Sequence, residues 1–211
     1  MTVEKLVKST DDILLILCKS VQKVLGKASG QPIVFSPIVQ KIQRTCLKPD
    51  IGCFTIFQGG ISGLLILNFS ADAALDIYRS YMTNMGIPED ELSILHTSDD
   101  VANVLGELMN QAMGHFQTDL KQALHVSISQ SQPKMLVINK DISISIDTQI
   151  DDPQFRRVSF ETAKHRAFFL ELGIEKTTFE TLFPFEEEEQ EDIEDVFIKA
   201  QQKHQNGTGQ S

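Results

Sequence analysis

Residues 99–124 read DDVANVLGELMNQAMGHFQTDLKQAL. The stretch has no Pro, and its apolar residues recur at helical spacing: Val101, Val104, Leu105, Leu108, Ala112, Phe116 and Leu120. At about 100° per residue they fill one side of a helix. The same arithmetic gathers Asn103, Glu107, Asn110 and Gly114 on the opposite side. A solvated helix face normally carries Lys, Glu, Gln and Arg, which are good helix formers. This one carries two Asn and a Gly, and Gly alone costs roughly 1 kcal/mol against Ala. Short amides and bare backbone suit a polar contact with something that comes close. They also fit a helix with no function on that face, or one that lets another helix pack over Gly114.

Working outward, residues 3–25 have a second amphipathic pattern. Leu6, Ile13, Leu14, Leu17, Val21, Val24 and Leu25 share one side, and Gly26, Gly30 and Gln31-Pro32 signal the end. Residues 33–47 read as extended, with Pro37 and Pro49 limiting pairing. Strands are expected at Cys53 to Phe57 and Leu64 to Phe69, joined by the glycine-rich turn QGGISG. That turn does not fit a phosphate cradle, because a strand follows it and no Lys closes the motif. Ser70 is an N-cap for a helix from Ala71 to Met85, which Gly86 stops. A linker then leads from Ile87 to His96. After the long helix, strands are expected at Met135 to Asn139, Ile142 to Asp147, Arg156 to Phe160 and Ala167 to Leu172. Ile142, Ile144 and Ile146 alternate with polar residues, the pattern of a sheet with one wet face. Phe183-Pro184-Phe185 ends the folded body. The acidic run, a short helical stretch (Asp192 to Gln202) and a terminus expected to be disordered follow. The element order is helix, strands, helix, helix, strands. Its second half loosely echoes the first, as an internal duplication would produce.

The chain has 211 residues, 41% of them hydrophobic and 23% charged, an ordinary soluble composition. A net charge of −10 argues against nucleic acid and anionic lipid as partners. Eight acids between Glu186 and Asp195 supply −8 of it, so the remainder is near −2. The three cysteines, Cys18, Cys46 and Cys53, have no metal-type spacing. Cys46 and Cys53 flank a turn that allows a disulfide; the odd count and apolar setting favour reduced thiols. No signal-peptide or membrane-span pattern is evident, and a cytoplasmic protein is expected. His96, His115, His125, His165 and His204 show no metal-ligand spacing with each other or with Cys. His115 lies near the apolar stripe and reads as a packed or rim residue. No Ser or Cys sits in a nucleophile motif.

The run NVLGELMNQAMGHFQTDL resembles the signature helix of the CheC/CheX/FliY family of CheY-type phosphatases, CheX most of all. The family pattern is Asp or Ser, three residues, Glu, two residues, Asn. Glu107 and Asn110 match it, whereas Asn103 departs from its leading Asp or Ser. The first helix ending in VLG, the run GGISGLLILNFSADAAL and QPKMLV also look like CheX. The resemblance covers roughly residues 1–173.

It implies an α+β fold of the CheC/CheX type, an antiparallel β-sheet packed with long α-helices in a pseudo-duplicated order. The CheX-like domain would span 1–183 and an acidic tail 184–211. It implies hydrolysis of the aspartyl phosphate of a response-regulator receiver domain, in chemotaxis-type signalling. The receiver would hold the Mg²⁺, and this chain no cofactor or metal. Asn110 would orient the attacking water and Glu107 would pair with a receiver Lys, while Asn103, Gly106, Gln111 and Gly114 would touch the partner. CheC carries two motifs and CheX one. The first helix here has no Glu followed three residues later by Asn, so a single site is expected. A homodimer through the strands is also compatible with the resemblance. A second reading, left open by Asn103, is a non-catalytic module binding a receiver domain or flagellar switch component. A third is a scaffold that makes its contacts through the acidic tail.

Overall fold

The computed structural model describes residues 7–48, 50–138, 142–143 and 153–180. The expected tail, residues 3–6 of the expected first helix and residues 144–147 of the expected Ile142 strand lie outside the described residues. Among the described residues, no helix is long and apolar enough to cross a membrane.

The first helix, α1, runs Thr10–Ser29. It starts later than its apolar pattern suggests, because Val7–Ser9 is a short strand, β1, paired antiparallel with β12 (Thr178–Glu180). Ser9 is the N-cap, and its N–H donates to Asp12 Oδ2 at 2.7 Å. Asp11 and Asp12 also place negative charge at the positive end of the helix dipole. The helix passes through Gly26 and stops where Gly30 turns left-handed (φ 64°). An interior Gly weakens a helix but does not end it; a positive φ does.

Four short edge strands flank two long hairpins. The first hairpin is β5 (Ile51–Gly59) and β6 (Gly63–Phe69), and the second is β10 (Gln154–Thr162) and β11 (Ala167–Ile174). They join through β6–β11 pairing, with Leu67 opposite Leu170. Strands β2 (Ile33–Phe35) and β3 (Gln40–Ile42), which follow α1, pair with β10. Strands β7 (Ile128–Gln130) and β8 (Lys134–Val137), which follow the long helix, pair with β5. The sheet has eight strands, and each half lends its edge strands to the other half's hairpin. The registers match: Phe57, seventh in β5, faces Gln130, and Phe160, seventh in β10, faces Phe35. The echo suggested by element order thus takes the form of a reciprocal exchange of edge strands between the two halves.

Helices α1 and α3 (Asp99–Leu124) pack on each other over one face of the sheet. Ile13, Leu17 and Val21 of α1 meet Leu105, Leu108, Ala112 and Phe116 of α3, above Phe57, Leu65, Leu67, Phe168 and Leu170. The alternate residues Leu64 and Ile66 of β6 are buried on the other face, against Leu47 of β4 (Cys46–Leu47) and Ile138. The short strand β9 (Ile142–Ser143) pairs with β4. Burial on both faces explains the unbroken apolar run of β6, a pattern usual in strands covered on both sides. Glu171 also lies on that second face with no exposure, accepting from Arg157 Nε at 2.8 Å and from Cys46 N–H at 2.8 Å.

Helix α2 (Ala71–Asn84) begins at Ser70, whose Oγ accepts from Ala73 N–H at 3.2 Å. Its Asp76 is buried and accepts from Thr162 Oγ1 at 2.7 Å and Lys164 Nζ at 2.8 Å. Burial pushes the Asp76 carboxyl up, but the hydrogen bonds from Lys164 and Thr162 and the Lys164 charge outweigh it and hold the carboxyl below its usual range. A depressed folded pKa means stability that is present above the unfolded carboxylate value and lost as pH falls through the folded one. Asp76→Asn is therefore expected to flatten the fall in stability below about pH 4, measured by urea unfolding at several pH values.

Candidate functional site

Helix α3 is held at both ends. Ser98 Oγ accepts from Val101 N–H at 3.3 Å, and His125 takes a left-handed φ of 54° with its N–H donating to Lys121 O at 2.9 Å. The inner face is wider than the apolar stripe alone, because Met109 and Met113 are buried beside it. Val104 is half-buried against the core. His115 is exposed. The opposite face carries exposed Asn103, Glu107, Asn110, Gln111 and Gly114.

These residues do not form one cluster. Asn103, Gly106, Glu107 and Asn110 line a groove of about 440 Å³, whose far wall is the segment from Gln130 to Met135. Gln111 lies outside that lining and donates through Nε2 to Glu107 Oε1 at 3.1 Å, bracing the carboxylate along the helix. Gly114 sits a turn further on, where a Cβ would meet nothing within 4 Å. At Gly106 a Cβ would touch Met135 Cγ at 3.5 Å, so the two walls are in van der Waals reach there.

The far wall was not read from the sequence as part of the site. Strand β7 is three residues long with one apolar side chain, too short and polar to signal a strand. Yet Gln130 Nε2 donates to Asn110 Oδ1 at 2.7 Å. Lys134 adds an exposed cation to the groove. The hint available was the echo between the halves, in which β7 takes the place in one half that β2 takes in the other.

The arrangement offers a neutral amide and a carboxylate on adjacent helical turns beside an open polar groove. It fits orientation of water and pairing with a cation better than nucleophilic attack. Cys18 and Cys53 are free and buried, and burial pushes both thiols up to about 12. No disulfide joins Cys46 to Cys53. Among the described residues, no three His, Cys, Asp or Glu side chains gather to hold a metal.

Solved structures share this fold. The chemotaxis protein CheX from Desulfovibrio desulfuricans has a TM-score of 0.62 and 16% identity, covering 78% of this chain and 99% of that one. FliY from Thermotoga maritima has a TM-score of 0.57 and 19% identity, covering 79% and 87%. CheX in the CheX–CheY–BeF3–Mg²⁺ complex from Borrelia burgdorferi has a TM-score of 0.56 and 14% identity, covering 78% and 98%. The fold class is therefore α+β of the CheC/CheX type. The chain belongs to DUF3334, described as a protein of unknown function, whose family model matches residues 4–211. A search of the curated proteins finds no match.

Proposed function

We propose that this chain docks α3 against the phosphorylated receiver domain of a response regulator and hydrolyses its aspartyl phosphate. The observation that carries this reading is the placement of Glu107 and Asn110, both exposed at one groove on the outer face of α3. A structure of the same fold, from Borrelia burgdorferi, is a complex with CheY, BeF3 and Mg²⁺, which supports a CheY-like partner here.

The chemistry suits the residues. Phosphoryl transfer needs positioning and charge neutralisation more than covalent help from the enzyme. Water attacks phosphorus, the bond to the Asp carboxylate oxygen breaks, and inorganic phosphate leaves. The Asn110 amide holds the water in line without adding negative charge near the phosphoryl oxygens. A second carboxylate in that place would repel them. Glu107 pairs with a Lys of the receiver and fixes the docking register. The Mg²⁺ belongs to the receiver and neutralises phosphoryl charge.

Gly114 gives an independent check on the docking face. With open space around it, Gly114→Trp is expected to leave stability within about 0.5 kcal/mol of wild type. The same change should weaken receiver binding by about 10-fold or more, by a clash at the interface. Calorimetry of unfolding and of binding would read the two separately.

The test of the function is phosphate loss from Mg²⁺-loaded phosphorylated receivers with and without this protein. Faster loss supports the phosphatase. Binding without faster loss supports the second reading, a non-catalytic receiver-docking module. Asn103, at the position where the resembling family has Asp or Ser, is the observation that favours that alternative.

A further inference from the structure

Asn110 is on an exposed helix face, yet its carboxamide is tethered. Gln130 Nε2–H donates to Asn110 Oδ1 at 2.7 Å. Gln130 itself has little freedom. It lies opposite Phe57 in the β5–β7 pairing. The next residue is pinned twice, with Ser131 N–H donating to Ile56 O at 2.8 Å and Thr55 Oγ1 donating to Ser131 O at 2.7 Å. Gln130 Oε1 is buried with no hydrogen-bond partner, which is unfavourable for a polar atom. A Gln at this point therefore does not serve folding best.

The other half of the molecule shows what the frame accepts instead. Asn110 lies fourteen residues before the last residue of α3, and Leu15 lies fourteen before the last residue of α1. Gln130 faces Phe57 in one hairpin where Phe35 faces Phe160 in the other. The amide pair of the second half is thus Leu15 and Phe35 in the first. The same backbone holds apolar residues at both positions, and the two amides occur together on the side with the groove.

We propose that Gln130 is a positioning residue for Asn110. Its donor occupies Oδ1, which fixes the amide rotamer and turns the Nδ2 hydrogens toward the groove. An exposed Asn otherwise samples several rotamers, and each wrong one misplaces the water. The proposal rests on the phosphatase reading of α3 and deepens it.

The test uses the full chain with Gln130→Ala and Gln130→Glu, a phosphorylated receiver and Mg²⁺. In Gln130→Ala, kcat should fall about 10- to 100-fold while KM for the receiver stays within about 2-fold. In Gln130→Glu near neutral pH, the carboxylate cannot donate to Oδ1. It accepts from Nδ2 and turns the amide round, so activity falls as far. As pH is lowered toward the Glu range, about 4 to 5, the protonated carboxyl donates again. The ratio of Gln130→Glu to Gln130→Ala activity should then rise, a trend that a purely structural role would not produce. In parallel, ¹⁵N relaxation of the Asn110 side-chain amide should show lost order in Gln130→Ala. That loss supports the tether even if wild type releases no phosphate, a result that would overturn only the phosphatase reading. Wild-type kcat in Gln130→Ala, or an Asn110 amide as ordered as in wild type, would overturn the proposal.

Discussion

Asn110→Ala is expected to slow phosphate release from the phosphorylated receiver by about 10²- to 10³-fold at saturation, the range seen when one preorganised polar group is removed from a reacting centre. Binding should change little, because in the proposed mechanism Asn110 holds the attacking water while Glu107, on the same groove, makes the ion pair that fixes docking. The signature is therefore a fall in kcat with KM nearly constant. Glu107→Ala should behave differently. On the proposed mechanism it removes the ion pair with the receiver Lys, so it should raise KM, lower the association rate and flatten the salt dependence as well as slow turnover. Rapid-mixing measurements at several receiver concentrations and two ionic strengths separate the two patterns. Equal effects of both substitutions on KM and none on kcat would argue that the helix only docks.

The second large effect is on stability. Phe116 has no exposed surface and meets Phe57 edge-on, with ring centroids 5.9 Å apart. This contact ties α3 to β5, the strand that also carries β7 and β8. Phe116→Ala is expected to destabilise the fold by about 3–5 kcal/mol, from lost transfer energy plus the cavity left between helix and sheet. Urea unfolding would read it as a lower midpoint with an unchanged slope. The groove should loosen at the same time, since its two walls are α3 and the strands held by β5. A loss under about 1 kcal/mol would mean that the helix collapses onto the gap and that Phe116 does not anchor it.

Helix α3 was legible to its ends, Asp99 and Leu124, because a long 3.6-residue period runs through it without a Pro. The same geometry made Glu107 and Asn110 legible as neighbours, since three residues is nearly one helical turn. The beginning of α1 was not. Its apolar pattern extends upstream, but pairing with Thr178–Glu180 claims Val7–Ser9 for a strand. That partner is too distant in sequence for local propensity to reveal it. The buried state of Glu171 was hidden for a related reason. An acid in an alternating strand reads as a wet face, and only the second layer over β6, with Arg157 at hand, makes a dry one. The far wall of the groove was missed because β7 has no period to detect, and because a hydrogen bond between residues 110 and 130 leaves no trace in local spacing. What local periodicity sets was readable; what a partner strand sets was not.

The most direct test of the central claim is the rate of phosphate release from one Mg²⁺-loaded phosphorylated receiver, with wild type and Asn110→Ala at equal, saturating concentration and binding confirmed for both. Release about 100-fold or more above the receiver's own rate with wild type, falling to near the receiver's own rate with Asn110→Ala, is the predicted result. Release at the receiver's own rate with both proteins, although both bind, would contradict hydrolysis at α3.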